Sequence, residues 1–132
     1  MGKINGILLV DDDKVNNFIS CQLIENLGIT DQVHISYNGR DAINYIQNLS
    51  FHSETCPELI LLDIEMPVMD GYEFLEVFNS LTIKNKEAIK VIILTASHRH
   101  EDIEKSKILG VDYFLSKPLN KQKFKKILNS LN

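Results

Sequence analysis

Apolar residues are concentrated in five short segments of the chain, at residues 7–10, 33–36, 59–62, 91–94 and 113–115. Four of these segments are unbroken apolar runs, and those at 59–62 and 91–94 are typical of strands buried on both faces of a parallel sheet. The segment at 33–36 alternates apolar and polar residues, which predicts a strand at the edge of the sheet with one face less buried. The pattern therefore predicts five strands.

Between these strands, apolar residues recur every three or four positions, which is the period of an α-helix. The fourth of the five predicted helices, over residues 100–109, is only weakly apolar, and Gly110 is placed to end it. The clearest apolar stripes are Val15, Ile19, Leu23 and Leu27 in the first helix, Ala42, Ile43, Ile46 and Leu49 in the second, Phe74, Leu75, Phe78 and Leu81 in the third, and Phe124, Ile127, Leu128 and Leu131 in the last.

Strand and helix alternate five times without an internal repeat, a low-complexity tract or a linker. Such alternation is typical of an α/β protein whose parallel sheet is covered by helices on both faces and joined by right-handed crossovers. The 132 residues are enough for one domain with a substantial core but too few for two. We therefore expect a single domain over residues 1–132.

The composition serves mainly to argue against several classes of protein, such as nucleic-acid-binding, membrane and secreted proteins. Apolar residues make up 44% and charged residues 24% of the chain, as in ordinary globular proteins, and the formal net charge of −4 does not favour nucleic acid. No apolar run is long enough to span a membrane, and the first residues lack the apolar core of a signal peptide. Cys21 and Cys56 have no metal-binding or redox spacing, so we expect reduced thiols in a cytoplasmic protein.

Polar side chains follow four of the apolar segments at equivalent places. They are Asp11 and Asp12 after the first, then Asp63, Thr95 and Lys117. Because the carboxyl ends of parallel strands share one edge of the sheet, we expect these side chains to converge in one crevice. Asp63 should lie where its strand reaches the surface, open to solvent, before a turn rich in Pro and Gly. Taken alone, Asp63 could equally be a structural residue that caps this turn.

The chemistry of this set of side chains favours phosphoryl transfer. Three carboxylates within a few ångströms repel one another, so a divalent cation is the natural occupant. All-oxygen ligands with room for water suit Mg²⁺ better than zinc. A carboxylate beside Mg²⁺ and an ammonium group is placed to attack a phosphoryl group, whose transferring oxygens the metal and Lys117 would neutralise. Thr95 could donate its hydroxyl to the attached group, and the product would be an aspartyl phosphate.

With these residues, the chain resembles the receiver domains of bacterial two-component response regulators, similar to the stand-alone chemotaxis type, over roughly residues 3–131. The resemblance implies a flavodoxin-like doubly wound sheet of five strands in the order 2-1-3-4-5 with five helices. It also implies a cis Lys117–Pro118 bond. The motifs that carry it are Leu9-Val10-Asp11-Asp12-Asp13, Leu62-Asp63-Ile64-Glu65-Met66-Pro67-Val68-Met69-Asp70-Gly71, Leu94-Thr95-Ala96 and Lys117-Pro118.

The resemblance implies a role for each residue of the acidic set. Asp63 would be the phosphoacceptor and would bind Mg²⁺ together with Asp12. The backbone carbonyl of Glu65 would complete the protein ligands, and Asp11 would hold a metal-bound water molecule.

Three further residues take roles by the same resemblance. Thr95 would be the switch hydroxyl, and Lys117 would be the cation that binds the phosphoryl group. Phe114 occupies the place of the aromatic switch, where the family more often has tyrosine. Its burial could still respond to Thr95, although the phenolic hydrogen bond would be absent.

The implied function is signalling rather than turnover of a separate substrate. A histidine kinase or a histidine phosphotransfer protein would donate the phosphoryl group to Asp63. The face formed by the fourth helix, the fifth strand and the last helix would then bind a downstream protein. We expect a monomer or weak homodimer with no output domain, no direct contact with nucleic acid and no membrane contact.

Several alternatives stay open. The chain could be a receiver cut from a larger response regulator or hybrid kinase. Residues 11–15 also fit the Asp-x-Asp-x-(Thr/Val) start of haloacid-dehalogenase-type phosphatases, although no Asp or Glu follows Lys117 to supply their further metal ligands. A third alternative is a binding module that no longer uses phosphate. Such a module would not need all the residues for phosphoryl transfer, and their presence here argues against it. A flavodoxin-like FMN carrier is a fourth alternative, but in the absence of a metal ion three carboxylates in the crevice would repel the FMN phosphate.

Some smaller signals have two interpretations. Asp13 is well placed to cap the first helix, although it could be a third metal ligand. His98 and His100, with Glu101 and Asp102, could form a metal site, but acidic residues at a helix start more often interact with the helix dipole. The lysines of the last helix are expected on its solvated face.

Overall fold

The computed structural model describes residues 3–97 and 99–131, in which strands and helices alternate as predicted. A short 3-10 helix, Lys86–Ala88, precedes the fourth strand. In chain order the main elements are β1 (Ile7–Val10), α1 (Lys14–Leu27), β2 (Val33–Ser36), α2 (Gly39–Phe51), β3 (Leu59–Leu62), α3 (Gly71–Ser80), β4 (Lys90–Thr95), α4 (His100–Ile108), β5 (Tyr113–Ser116) and α5 (Lys121–Ser130).

All five strands are parallel and form one sheet in the order β2-β1-β3-β4-β5. This confirms the predicted flavodoxin-like topology. The alternating strand β2 lies at an edge, as its pattern indicated, while β1 and β3 lie inside the sheet and are buried along their whole length. The order reverses between β1 and β3, which in open α/β sheets is where the crevice at the carboxyl ends opens.

The sheet separates two apolar cores because successive side chains of a strand point to opposite faces. One core joins Leu8, Val10, Ile60 and Leu62 to the apolar faces of α2 and α3. The other joins the intervening strand residues, such as Leu9, to Ile24 of α1 and to Phe124 and Leu128 of α5, where Phe124 is fully buried.

Helix α1 lies where predicted, and Leu23 and Leu27 of its apolar stripe pack against the second core, but the first half of the stripe faces solvent. Val15 is 70% exposed and Ile19 is 37% exposed. The residues of α1 that are buried are Asn16, Asn17, Ser20 and Ile24. The first half of the helix packs against the polar carboxyl ends of the strands, so hydrogen-bonding side chains rather than apolar ones face inward there.

Several local predictions are confirmed. The Asp13 side chain caps α1 by accepting a hydrogen bond from the Asn16 backbone N–H, and Gly28 ends the helix in the left-handed conformation. The Lys117–Pro118 bond is cis. The lysines within α5 are exposed. No helix in the described ranges is long and apolar enough to cross a membrane.

Gly71, the first residue of α3, allows that helix to approach the end of β3. A Cβ atom at Gly71 would lie 2.8 Å from Ile64 Cα and would also collide with the backbone carbonyl oxygen of Asp63. We expect Gly71→Ala to lower the free energy of unfolding by about 2 kcal/mol, because backbone atoms cannot yield as a flexible side chain can. Urea denaturation at pH 7 would measure this change.

The matched control is Glu76→Ala, at an exposed position of the same helix. Its effect on the free energy of unfolding should stay within about 0.5 kcal/mol. Equal stabilities of the Gly71 and Glu76 variants would show that the approach of α3 to Asp63 is not as tight as the geometry indicates.

Candidate functional site

Backbone hydrogen bonds continue beyond the strands and bring their carboxyl ends together. The Asp63 N–H donates to the Val10 carbonyl oxygen over 2.9 Å, which extends the pairing of β3 with β1. The Lys117 N–H donates to the Thr95 carbonyl oxygen over 2.8 Å, which extends the pairing of β5 with β4. The rigid sheet therefore determines where these side chains emerge.

The predicted convergence of acidic side chains is present. Carboxylate oxygens of Asp11, Asp12 and Asp63 lie within 4.8 Å of one another. The Lys117 ammonium bridges two of them, with Nζ 2.8 Å from Asp11 Oδ2 and 3.0 Å from Asp63 Oδ2. Three negative groups thus share one positive group at the carboxyl edge of the sheet.

Asp63 is not open to solvent, contrary to the prediction. Only 5% of the residue is exposed, because Lys117 reaches its carboxylate from the end of β5, two strands away in the sheet, and the Asp11 carboxylate lies beside it. Asp12, in contrast, is exposed. The cluster therefore reaches solvent on the Asp12 side, and a ligand would approach Asp63 from there.

Two asparagines of α1 complete the surroundings of Asp11. The side-chain amide of Asn16 donates to Asp11 Oδ2 and that of Asn17 to the Asp11 carbonyl oxygen, each over 2.9 Å. The backbone N–H of Asp13 donates to Asp11 Oδ1 over 2.9 Å. Neither asparagine was among the residues predicted for the site. Their adjacent positions, five and six residues after Asp11 in a predicted helix, were the available signal.

The pKa values of Asp11 and Lys117 are both raised, but for different physical reasons. Burial raises the pKa of Asp11, although the Lys117 ammonium works against this shift. Burial alone would lower the pKa of Lys117, but its hydrogen bonds to Asp11 and Asp63 outweigh burial and raise that pKa above its ordinary value. Lys117 therefore stays charged at neutral pH and is the main neutralising group of the cluster.

The residues present fit a metal ion. Asp63 Oδ1 is buried and has no hydrogen-bond partner within the described part of the chain, whereas Oδ2 is engaged by Lys117. A buried, unpaired carboxylate oxygen is costly unless a cation or water molecule satisfies it. Two further carboxylates lie nearby, and such an all-oxygen donor set suits a hard divalent cation.

The remaining predicted site residues lie around this cluster. Thr95 is the last residue of β4 and is buried. Phe114 of β5 is half-buried and packs against the core formed with α2 and α3. The Glu65 side chain is exposed, and the part of its backbone carbonyl in metal binding stays a prediction.

The second possible metal site is not supported. Asp102 is buried, and its carboxylate accepts hydrogen bonds from Tyr72, Ser97 and Arg99 rather than pointing to a group of ligands. His98 lies outside the described residues. Among residues 3–97 and 99–131, the group of three side chains able to hold a metal is Asp11, Asp12 and Asp63.

Fold and site together define a class: doubly wound α/β domains with an acidic cluster and a lysine at the carboxyl edge of the sheet. A family profile described as "Response regulator receiver domain" matches residues 7–129. The chain therefore belongs to the response regulator receiver domain family, the domain of two-component systems that also occurs in hybrid kinases. This membership separates it from the haloacid-dehalogenase-type phosphatases.

Individual relatives agree with the family. A two-component response regulator from Cytophaga hutchinsonii superposes with a TM-score of 0.87 at 29% identity, covering 98% of this chain and 97% of that one. Response regulator Rcp1 of Synechocystis is 32% identical over 86% of this chain and 77% of its own length. Hybrid signal transduction histidine kinase G of Dictyostelium discoideum is 30% identical over 93% of this chain, which spans only 3% of that protein.

Proposed function

We propose that Asp63 is the phosphoacceptor of a two-component phosphorelay and that its phosphorylation requires Mg²⁺. The observation that carries this proposal is a buried carboxylate with one unpartnered oxygen, set between two further carboxylates and the Lys117 ammonium. Family membership supports it, because receiver domains act with histidine kinases in signalling.

The metal would be held by Asp12, Asp63 and the backbone carbonyl of Glu65, with Asp11 holding one of its water molecules. Mg²⁺ typically keeps several waters and takes few carboxylates, which matches this set. When bound, the ion would neutralise charge on the oxygens of the transferring phosphoryl group.

The side chains of the chain supply the rest of the reaction. An Asp63 oxygen attacks the phosphorus of a phosphohistidine; the O–P bond forms while the N–P bond breaks, and the electron pair of that bond leaves with the imidazole. Lys117 already contacts Asp63 and can turn its N–H groups to a phosphoryl oxygen. Positioning and charge neutralisation account for most of such catalysis. The domain thus assists its own phosphorylation and dephosphorylation.

Phosphorylation would change the surface through Thr95 and Phe114. The Thr95 hydroxyl would move to donate to the phosphoryl group, and Phe114 would turn inward from its half-buried position. The face formed by α4, β5 and α5 would change as a result and bind a downstream protein. This is a local charge event that biases a two-state element.

The donor would be a histidine kinase or a histidine phosphotransfer protein, acting in the cytoplasm. The relatives include regulators of similar length and hybrid kinases of which this domain is a small part. The proposal applies to the domain whether it stands alone or is part of a larger protein. We propose that the domain itself is a monomer or weak homodimer.

Titration with beryllofluoride, which mimics a phosphoryl group on a carboxylate, tests this function. We expect large amide chemical-shift changes at Thr95 and Phe114 in ¹⁵N-labelled protein when Mg²⁺ and beryllofluoride are both present. Fluoride with Mg²⁺ but without beryllium is the control and should leave both amides unchanged. Spectra that respond to neither combination at saturating concentrations would refute the proposed phosphoacceptor site.

A further inference from the structure

Asp102 is the one carboxylate in the described ranges that is buried away from the acidic cluster, with 5% of the residue exposed. It lies in the first turn of α4. Its Oδ1 accepts a hydrogen bond from the Tyr72 hydroxyl over 2.5 Å. Its Oδ2 accepts from the Ser97 hydroxyl over 2.5 Å and from Arg99 Nε over 3.0 Å. One carboxylate therefore joins α3, α4 and the loop between β4 and α4.

That loop follows Thr95 directly. The Ser97 backbone N–H donates to Thr95 Oγ1 over 3.4 Å, while the Ser97 hydroxyl donates to Asp102. Ser97 is thus bonded on one side to the proposed switch hydroxyl and on the other to α4. Through these two bonds, a movement of Thr95 toward Asp63 would pull residue 97 with it and away from Asp102.

Asp102 is fixed from the side away from the loop. The Tyr72 hydroxyl bonds its carboxylate from α3, and the Lys105 ammonium lies 4.3 Å above the Tyr72 ring. The hydrogen bonds from Ser97 and Tyr72 hold the pKa of Asp102 below its ordinary value, so the carboxylate is charged at neutral pH. Because Tyr72 holds the Asp102 carboxylate from α3, a movement of Ser97 away from α4 would lengthen and break the Ser97–Asp102 bond.

We propose that the Ser97–Asp102 hydrogen bond is a latch that holds Thr95 in its unphosphorylated position, and that Asp102 is a positioning residue for the switch. This inference rests on the proposed function of Asp63 and Thr95. A ligand that needs a less populated conformation binds more weakly in proportion to that population. The latch therefore lowers the apparent affinity of the domain for a phosphoryl group.

The test is Ser97→Ala in the full chain. Because one charge-assisted hydrogen bond is lost from the unphosphorylated state alone, beryllofluoride in saturating Mg²⁺ should bind about fivefold more tightly. The affinity for Mg²⁺ alone should stay the same, since Ser97 does not touch the acidic cluster. NMR titration of both ligands measures the two affinities on the same sample.

Ser106→Ala is the matched control. Ser106 is buried in the same helix and donates to the Asp102 backbone carbonyl over 2.7 Å. It also bonds the Tyr72 hydroxyl, so it lies on the α3–α4 side of Asp102 rather than on the Ser97 side. This variant should keep the wild-type beryllofluoride affinity. Equal tightening in both serine variants would indicate general loosening of α4 and would overturn the latch.

A Thr95→Ala background gives the decisive comparison. If the latch acts through Thr95, Ser97→Ala should no longer tighten beryllofluoride binding when Thr95 is already replaced. Unchanged or weaker binding by the Ser97 variant, or the same tightening without Thr95, would overturn the inference while leaving the phosphoacceptor intact. A wild-type chain that binds no beryllofluoride would instead overturn the proposed function, and the latch with it.

Discussion

Asp63→Asn should abolish phosphorylation of the chain by acetyl phosphate in the presence of Mg²⁺. The amide preserves the shape of the side chain but removes the nucleophilic oxygen and the negative charge that would bind the metal. We expect the rate of phosphate incorporation to fall by at least about a thousandfold, as it does when an enzyme loses its catalytic nucleophile. Intact-protein mass spectrometry over a time course measures the incorporation directly.

The matched control is Asp112→Asn. Asp112 is exposed and precedes β5, so it lies at the opposite edge of the sheet from Asp63. This variant should be phosphorylated at the wild-type rate, and thermal melting of both variants would verify that each is folded. Labelling of the Asp63 variant at the rate of the Asp112 variant would show that another group accepts the phosphate.

Most of the fold could be predicted because its signals are local. The apolar runs at 7–10 and 59–62 have no polar interruption, and the strands occupy the same residues. The convergence of Asp11, Asp63 and Lys117 followed from parallel topology alone, since all the carboxyl ends of such strands lie at one edge. The strand order and the cis bond before Pro118 came from the family resemblance rather than from these patterns.

The inward face of α1 could not be predicted from periodicity. That method assumes that the buried face of a helix is its apolar face. In α1 the buried side meets an acidic crevice, so Asn16 and Asn17 turn inward to donate to Asp11 while Val15 faces solvent. Apolar spacing located the helix and the packing of Leu23 and Leu27 correctly, but it gave the wrong inward face for the first half.

The exposure of Asp63 and the surroundings of Asp102 depend on contacts between distant residues. Lys117 is 54 positions from Asp63 and bonds its carboxylate, and Tyr72 is 30 positions from Asp102. A single sequence shows that such side chains reach the same region but not which of them touch. For this reason the crevice was predicted as open and Asp102 as a possible metal ligand.

Lys117→Met should lower the free energy of unfolding by about 3 kcal/mol at pH 7 in the absence of Mg²⁺. The change removes the ammonium that bridges Asp11 and Asp63 and leaves two buried carboxylates without a compensating positive charge. Removing one partner of a buried ion pair typically has a cost of this size. Mg²⁺ should recover part of the loss by binding the folded state, and urea denaturation with and without the ion measures both effects.

The pH dependence follows from the pKa of Asp11, which burial raises and Lys117 partly lowers. Without the lysine, the pKa of Asp11 in the folded state should rise further above its unfolded value. A raised carboxyl pKa means that the folded state binds the proton more tightly, so the variant gains stability relative to the wild type as pH falls. The stability difference should therefore shrink between pH 7 and about pH 4.

Lys121→Met, at an exposed position of α5, is the control for loss of a positive charge. It should change the free energy of unfolding by less than about 0.5 kcal/mol at either pH. A Lys117 variant as stable as the wild type at pH 7 would mean that the two carboxylates do not depend on this ammonium. Protonation of Asp11 can only relieve the repulsion between the carboxylates of the acidic cluster. If the stability difference between the wild type and the Lys117 variant grew as the pH fell, the interaction lost in the variant would therefore lie outside the cluster.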